Sequence, residues 1–120
     1  TFCNLAVKSI CRAVGYLEFE PLKLANDIIA FVKASPKWNV ASGVEAHFNA
    51  LAGELGLAVH EEQPHGHVAV VYPAEVLGTS GKWKSKAVPS VANVGKTNGV
   101  MGANMAFVEQ PEYYVLSRDG

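Results

Sequence analysis

Apolar and polar residues alternate with helical spacing in two segments near the start of the chain. The first segment extends from Thr1 to Val14, and the second ends before Ser35 and Pro36. Because one helical turn takes about 3.6 residues, apolar positions three and four apart form a single buried face. Both segments are therefore predicted to be amphipathic helices, with Thr1 as the N-cap of the first. Their apolar faces consist of Cys3, Val7, Ile10, Cys11 and Val14, and of Leu22, Ala25, Ile28, Ile29 and Val32.

A third helix is predicted from Val44 to Leu55. Ser42 precedes it as a residue type that caps helix N-termini, and Gly56 follows it as a stop signal. Its predicted buried stripe consists of Val44, Phe48, Leu51, Ala52 and Leu55.

The second half of the chain has short runs of β-branched and aromatic residues separated by Gly, Pro, Ser and Asn, which is typical of strands. The predicted strands are Leu57 to Val59, His67 to Tyr72, Val88 to Val94, Met105 to Val108 and Tyr113 to Ser117. Helices followed by strands predict an α+β fold, in which N-terminal helices pack on one face of a mostly antiparallel sheet of about five strands. A chain of 120 residues is expected to form one domain, residues 1–120.

Charge and hydropathy exclude several functional classes. The formal net charge is -1, so no electrostatic attraction to nucleic acid or to an anionic membrane is expected. No apolar stretch approaches the roughly 18 residues of a membrane-spanning helix. Since the sequence begins at Thr1 rather than at Met, we expect a processed or excised piece of a longer protein.

The two cysteines, Cys3 and Cys11, are expected to have separate roles. On one helix they are about 12 Å apart along the axis, which is too far for a disulfide. Cys11 lies two turns into the apolar face and is interpreted as a core residue. Cys3 lies in the first turn, where unpaired backbone N–H groups stabilise a thiolate and receive an oxyanion. It is either a nucleophile or a small buried hydrophobic residue.

A cysteine nucleophile needs a base, and His67 is the best placed of the four histidines. It opens a predicted strand that would hold its ring, while Gly66 is expected to leave room for a substrate. His47 is expected to be partly exposed beside the third helix's stripe. His60 and His65 flank an acidic turn. A metal site formed by His60, Glu61, Glu62, His65 and His67 is not favoured, since their spacing matches no helical ligand pair and Pro64 interrupts them.

The imidazole of such a pair is usually oriented by a third group. Asn93 is the first choice and Ser90 the second, because both lie in a strand that we place beside the His67 strand. Side chains alternate between the faces of a strand, so only one of the two can serve.

Two further motifs have ordinary structural interpretations. The segment Gly95 to Gly99 lacks the full spacing of a phosphate-binding loop and is predicted to be a turn. Lys82, Lys84 and Lys86 surround Trp83, which is typical of a solvated strand face, although the cluster would also suit an acidic glycan peptide.

The residues Thr1-Phe2-Cys3-Asn4 and the strand Gly66 to Val71 resemble the NlpC-like papain-fold cysteine peptidases and the related CHAP-like amidohydrolases. Within this group the chain is most similar to the peptidoglycan amidase effectors of bacterial type VI secretion, on the segments Trp38 to Ala46, Leu57 to Val71 and Tyr113 to Val115. The Asp-Cys-Ser-Gly that usually surrounds the nucleophile is replaced by Phe-Cys-Asn-Leu.

The resemblance implies a papain-like fold and hydrolysis of an amide in the peptidoglycan stem peptide, for example the bond between D-glutamate and diaminopimelate. It implies Cys3 as nucleophile, His67 as base, Asn93 as third residue, and Asn4 and Gly66 beside the oxyanion and substrate. No metal and no other cofactor is expected. We expect a monomer in the bacterial periplasm or outside the cell, with peptidoglycan or a muropeptide as substrate and an immunity protein as a further partner. The alternatives are an inactive cell-wall binding or interaction domain and a papain-fold peptidase that cuts protein.

Overall fold

The computed structural model describes residues 2–81, 83–95 and 97–117. Within these ranges the helices are α1 (Phe2–Ala13), α2 (Ala25–Ala34), α3 (Gly43–Leu51) and α4 (Ala103–Ala106). The strands are β1 (Trp38–Ala41), β2 (Gly56–His60), β3 (His67–Tyr72), β4 (Gly78–Ser80), β5 (Ser85–Val88), β6 (Ser90–Asn93), β7 (Gly99–Gly102) and β8 (Glu112–Leu116). The N-cap predicted at Thr1 lies outside the described residues.

The main sheet has the strand order β1-β8-β2-β3-β6-β7 among the described residues, and each neighbouring pair in it is antiparallel. A separate antiparallel pair is formed by β4 and β5. The prediction of an α+β fold with a mostly antiparallel sheet is confirmed. The sheet has six strands rather than about five, because β1 and β7 are short strands that the sequence pattern did not indicate.

Helices cover both faces of this sheet, so the prediction that they pack on one face is wrong. Leu57, Val59, Val68 and Val70 belong to a core cluster that includes residues of α1 and α2. The alternate strand residues Ala58, Ala69 and Val71 belong to a second cluster that includes residues of α3 and α4. Since successive strand residues point to opposite faces, the sheet has a core on each side.

The predicted buried stripe of the third helix is also wrong. Ser42 does cap this helix, accepting a hydrogen bond from the Glu45 N–H at 3.1 Å. The residues that α3 buries are small or polar: Ala46, His47 and Ala50. Phe48 is 60% exposed, because close packing of the alanines on the sheet turns the larger side chains outward. The helix ends before Gly53, which has a φ of 83°, and Gly56 begins β2 instead.

Two predicted strands differ from the structure near the end of the chain. The run from Val88 to Val94 is divided at Pro89, which has no N–H to donate to a ladder, so β5 and β6 belong to different sheets. Residues Ala103–Ala106 form the single-turn helix α4, whereas Met105 to Val108 was predicted as a strand. None of the helices in the described ranges has the length and apolar character needed to cross a bilayer.

Candidate active site

Cys3 lies in the first turn of α1, which packs against β3. The apolar face of α1 inserts Val7 and Cys11 into the core, and this fixes where the start of the helix lies. Cys3 itself is 5% exposed. The backbone N–H groups of a first turn have no partners within the helix, so Cys3 is next to potential donors for an oxyanion.

Cys11 is fully buried, as predicted. Burial raises the pKa of its thiol to about 12, with a smaller contribution from the charge of Glu20. Both cysteines are free thiols. Cys11 is therefore a core residue rather than a second nucleophile.

His67 is the first residue of β3, which lies between β2 and β6 in the sheet. Its imidazole forms a hydrogen bond with the Cys3 side chain. Burial of the ring lowers the pKa of His67, but the hydrogen bonds with Cys3 and Asn93 and the negative charge of the Cys3 thiolate raise it, and the net shift is upward. The contacts with Cys3 and Asn93 therefore favour the protonated form of the ring, against the burial that disfavours it.

Asn93 is the last residue of β6, which pairs with β3 as expected, with Ala92 opposite Val70. Its Oδ1 lies 2.6 Å from His67 Nε2. Its Nδ2 donates to the carbonyl oxygen of Thr97 at 2.6 Å, and this second bond fixes the orientation of the amide. Oδ1 must then accept a hydrogen bond from the Nε2–H group, which leaves Nδ1 as the nitrogen available to the Cys3 thiol.

Ser90, the alternative third residue, lies at the other end of β6, where it is opposite Tyr72. The structure therefore brings Asn93, and not Ser90, to the imidazole. The strand explains this result, because Asn93 and the buried Val91 share a face while Ser90 is on the other.

The imidazole also forms one wall of a cleft of about 470 Å³. Phe107 packs against the ring with the centroids 4.6 Å apart, and Gly95 lies close enough that a Cβ there would be 3.5 Å from His67 Cε1. Asn93, Phe107 and Met105 line the cleft as well. Phe107 was not identified from the sequence, since its residue type carries no signal for a contact with a distant histidine.

The two residues predicted beside the oxyanion and substrate have structural contacts instead. Asn4 is buried, and its Nδ2 donates to the carbonyl oxygen of Lys23. An oxyanion bond from Asn4 would therefore come from its backbone N–H. The expectation that Gly66 leaves room for a substrate beside His67 stays a prediction, but the structure has no space for a side chain at this position. A Cβ there would be 2.1 Å from Asn26 Oδ1, so α2 occupies that space.

The remaining histidines have other environments. His47 is buried on α3, 3% exposed, which corrects the expectation of partial exposure. His60 lies opposite His67 in the β2–β3 ladder, and its Nε2 is 3.2 Å from Glu109 Oε2 at the rim of the cleft. His65 is exposed. Within the described ranges, no three His, Cys, Asp or Glu side chains are grouped as metal ligands.

The lysine and glycine motifs lie only partly within the described residues. Residues 97 and 98 lie in the connection between β6 and β7, and Gly99 begins β7. Trp83 Nε1 donates to the carbonyl oxygen of Val108 at 3.4 Å. Lys82 and Lys96, which belong to the predicted cluster and turn, lie outside the described residues.

No protein-family model matches the chain, and a search of curated proteins found no match either.

Proposed function

We propose that the protein is a cysteine hydrolase that cleaves an amide bond, with Cys3 as nucleophile and His67 as general base. The observation that carries the proposal is the hydrogen-bonded series from the Cys3 thiol through His67 to Asn93, in which His67 and Asn93 line an open cleft. A nucleophile, a base and a group that orients the base are the three parts of such a site.

The reaction follows from the positions of these groups. His67 Nδ1 takes the thiol proton, and the sulfur attacks the amide carbonyl to form a tetrahedral intermediate. Backbone N–H groups in the first turn of α1 bind its oxyanion. The C–N bond then breaks, and the imidazolium gives its proton to the departing amine, leaving an acyl group on Cys3 as a thioester. His67 next takes a proton from water, whose oxygen attacks the thioester. The C–S bond then breaks, the imidazolium returns its proton to the sulfur, and the acid product loses its own proton to solvent to become a carboxylate.

We further propose an NlpC-like papain fold and a peptidoglycan stem peptide as substrate. Support comes from the order of elements, with cysteine on an N-terminal helix and then histidine and asparagine on adjacent antiparallel strands. The residues Gly66 to Val71 that resemble this family include the whole buried part of β3. The corresponding location is the cell envelope, with an immunity protein as the partner that would cover the cleft.

The burial of Cys3 favours a second candidate, a binding or interaction domain that does not turn over substrate. Cys3 is only 5% exposed, and the described residues that line the cleft include His67 and Asn93 but not Cys3. A third candidate is a peptidase that cuts proteins. Cys3, His67 and Asn93 would have the same catalytic roles in that reaction.

Digestion of purified peptidoglycan distinguishes the three candidates. The parent protein is expected to release muropeptides with a new amine and a new carboxylate, detected by mass spectrometry, and to leave a panel of unfolded proteins intact. His67→Ala is expected to lower the rate about 100- to 10,000-fold. His65→Ala is the matched control, because His65 is an exposed histidine two residues before His67, in the connection between β2 and β3. Equal loss in both variants, or cleavage of proteins only, would overturn the proposal.

A further inference from the structure

Cys3 and His67 are distant in the sequence. The segment 22–26 contacts α1, which carries Cys3, and also the turn at residues 62–66, which precedes His67. This segment connects α1 to α2 and includes the first two residues of α2. Through hydrogen bonds it joins the helix that carries Cys3 to the turn that precedes His67.

On the α1 side, two side chains bond to the backbone of the segment. Asn4, the residue after Cys3, donates from Nδ2 to the carbonyl oxygen of Lys23. One turn further along the same helix face, Lys8 Nζ donates to the carbonyl oxygen of Leu22 at 2.8 Å. The first two turns of α1 are therefore each held against the segment by one hydrogen bond.

On the β3 side, Asn26 makes the corresponding contact. Its Nδ2 donates to the carbonyl oxygen of Glu62 at 3.1 Å. Its Oδ1 lies so close to Gly66 that a Cβ at that position would be 2.1 Å away. Asn26 therefore packs on the residue directly before His67, and only glycine allows this approach.

Both asparagines leave Oδ1 buried without a hydrogen-bond partner in the part of the chain that the structure describes. A buried acceptor without a partner is unfavourable, and an apolar side chain of similar size would avoid that cost. The amide donors of both residues are bonded, to the carbonyl oxygens of Lys23 and Glu62, and these bonds fix α1 and the 62–66 turn to one short segment.

We propose that Asn26 is a positioning residue for the Cys3–His67 pair. Through the 22–26 segment, together with Asn4, it holds the imidazole at hydrogen-bond distance from the thiol. Attraction between a thiolate and an imidazolium falls as their separation grows, so releasing the 62–66 turn lets the pair separate and the thiol revert toward ordinary reactivity. The inference rests on the proposed function only in taking the Cys3–His67 pair as the reactive group.

The test is the rate of Cys3 alkylation by iodoacetamide from about pH 5 to about pH 9, the range in which a perturbed thiol titrates. Peptide mass spectrometry separates Cys3 from Cys11. Asn26→Ala is expected to react about tenfold more slowly than the parent at about pH 6, as a one-unit rise in thiol pKa produces, and its pH profile moves toward that of a free thiol. Asn49→Ala is the matched control, because Asn49 Nδ2 donates to a backbone carbonyl, that of Leu55, at 3.4 Å.

Two further variants keep the test decisive. Asn26→Ser keeps a small polar side chain at this position and serves if Asn26→Ala does not fold. Gly66→Ala adds a Cβ that displaces the Asn26 side chain, and it should shift the pH profile in the same direction. The shift of the pH profile in the double variant should be smaller than the sum of the shifts in the two single variants, because both changes disrupt the same contact.

A parental pH profile in the folded Asn26→Ala and Asn26→Ser proteins would overturn the inference. A rate lowered equally at every pH would also overturn it, because that pattern reports access to the thiol rather than the ion pair. If the parent shows the expected alkylation profile and cleaves no peptidoglycan, the proposed function fails while the positioning role of Asn26 stands.

Discussion

Replacing Asn93 with alanine removes the hydrogen bond that orients the His67 imidazole. The bond joins Asn93 Oδ1 to His67 Nε2 at 2.6 Å, and its strength increases when the ring is protonated. Hydrogen bonds to charged groups contribute about 1.5 to 3 kcal/mol. Because each 1.36 kcal/mol corresponds to a factor of about ten in rate, Asn93→Ala is expected to lower kcat/KM about 10- to 150-fold.

The same substitution has a measurable effect on the titration of His67. Asn93 is one of the groups that raise the pKa of this imidazole against the lowering effect of burial, so its removal should lower the pKa. The assay is an NMR titration of the His67 ring. Asn98→Ala is the control, because Asn98 Oδ1 accepts from the Gly95 N–H in the same connection and bonds no ring. An unchanged His67 pKa and a parental rate in Asn93→Ala would refute the reasoning.

The free energy of unfolding should depend on pH in a direction that the raised pKa of His67 determines. A raised pKa in the folded protein means that protonation favours the folded state. The stabilisation is fully present below the unfolded-state pKa of about 6.5 and is lost as the pH rises through the raised folded-state pKa of His67. The deficit of Asn93→Ala in unfolding free energy should therefore be larger in acid than in alkali, as measured by urea denaturation. A deficit that grows with pH would contradict this assignment.

Three other predictions concern Cys3, Cys11 and Ser42. In Cys3→Ala the pKa of His67 should fall, because the hydrogen bond and negative charge of the thiolate are lost; a parental value in an NMR titration would show that the two side chains do not interact. Cys11, whose buried thiol has a pKa of about 12, should resist iodoacetamide until urea unfolds the chain, and alkylation of the native protein at Cys11 would contradict its place in the core. Ser42→Ala should lower the free energy of unfolding by about 1 kcal/mol with little change in activity, because it removes the cap of α3; an unchanged urea midpoint would show that the cap contributes nothing.

The elements that the sequence predicts best are those whose burial pattern is local. β3 begins and ends as predicted, at His67 and Tyr72, because its β-branched run is buried on both faces of the sheet. Asn93 was also identifiable, because its strand was placed beside β3, and the structure pairs β6 with β3. Ser42 shows the same point for helices, because a capping residue acts on backbone groups only three positions away.

The features that the sequence does not predict depend on long-range contacts. Hydrophobicity favours Phe48 as the buried residue of α3, but the sheet admits only small side chains such as Ala46 and Ala50 there. The role of Asn26 depends on a hydrogen bond to Glu62 and a contact with Gly66. No periodicity records such contacts, because they arise only when α2 and the turn before β3 are brought together.

Muropeptide analysis of peptidoglycan treated with the parent protein and with Cys3→Ala tests the central claim most directly. The account predicts that the parent releases products cut at an amide bond and that Cys3→Ala releases none above the untreated control. Digestion by Cys3→Ala at the parental rate would contradict the assignment of Cys3 as the nucleophile.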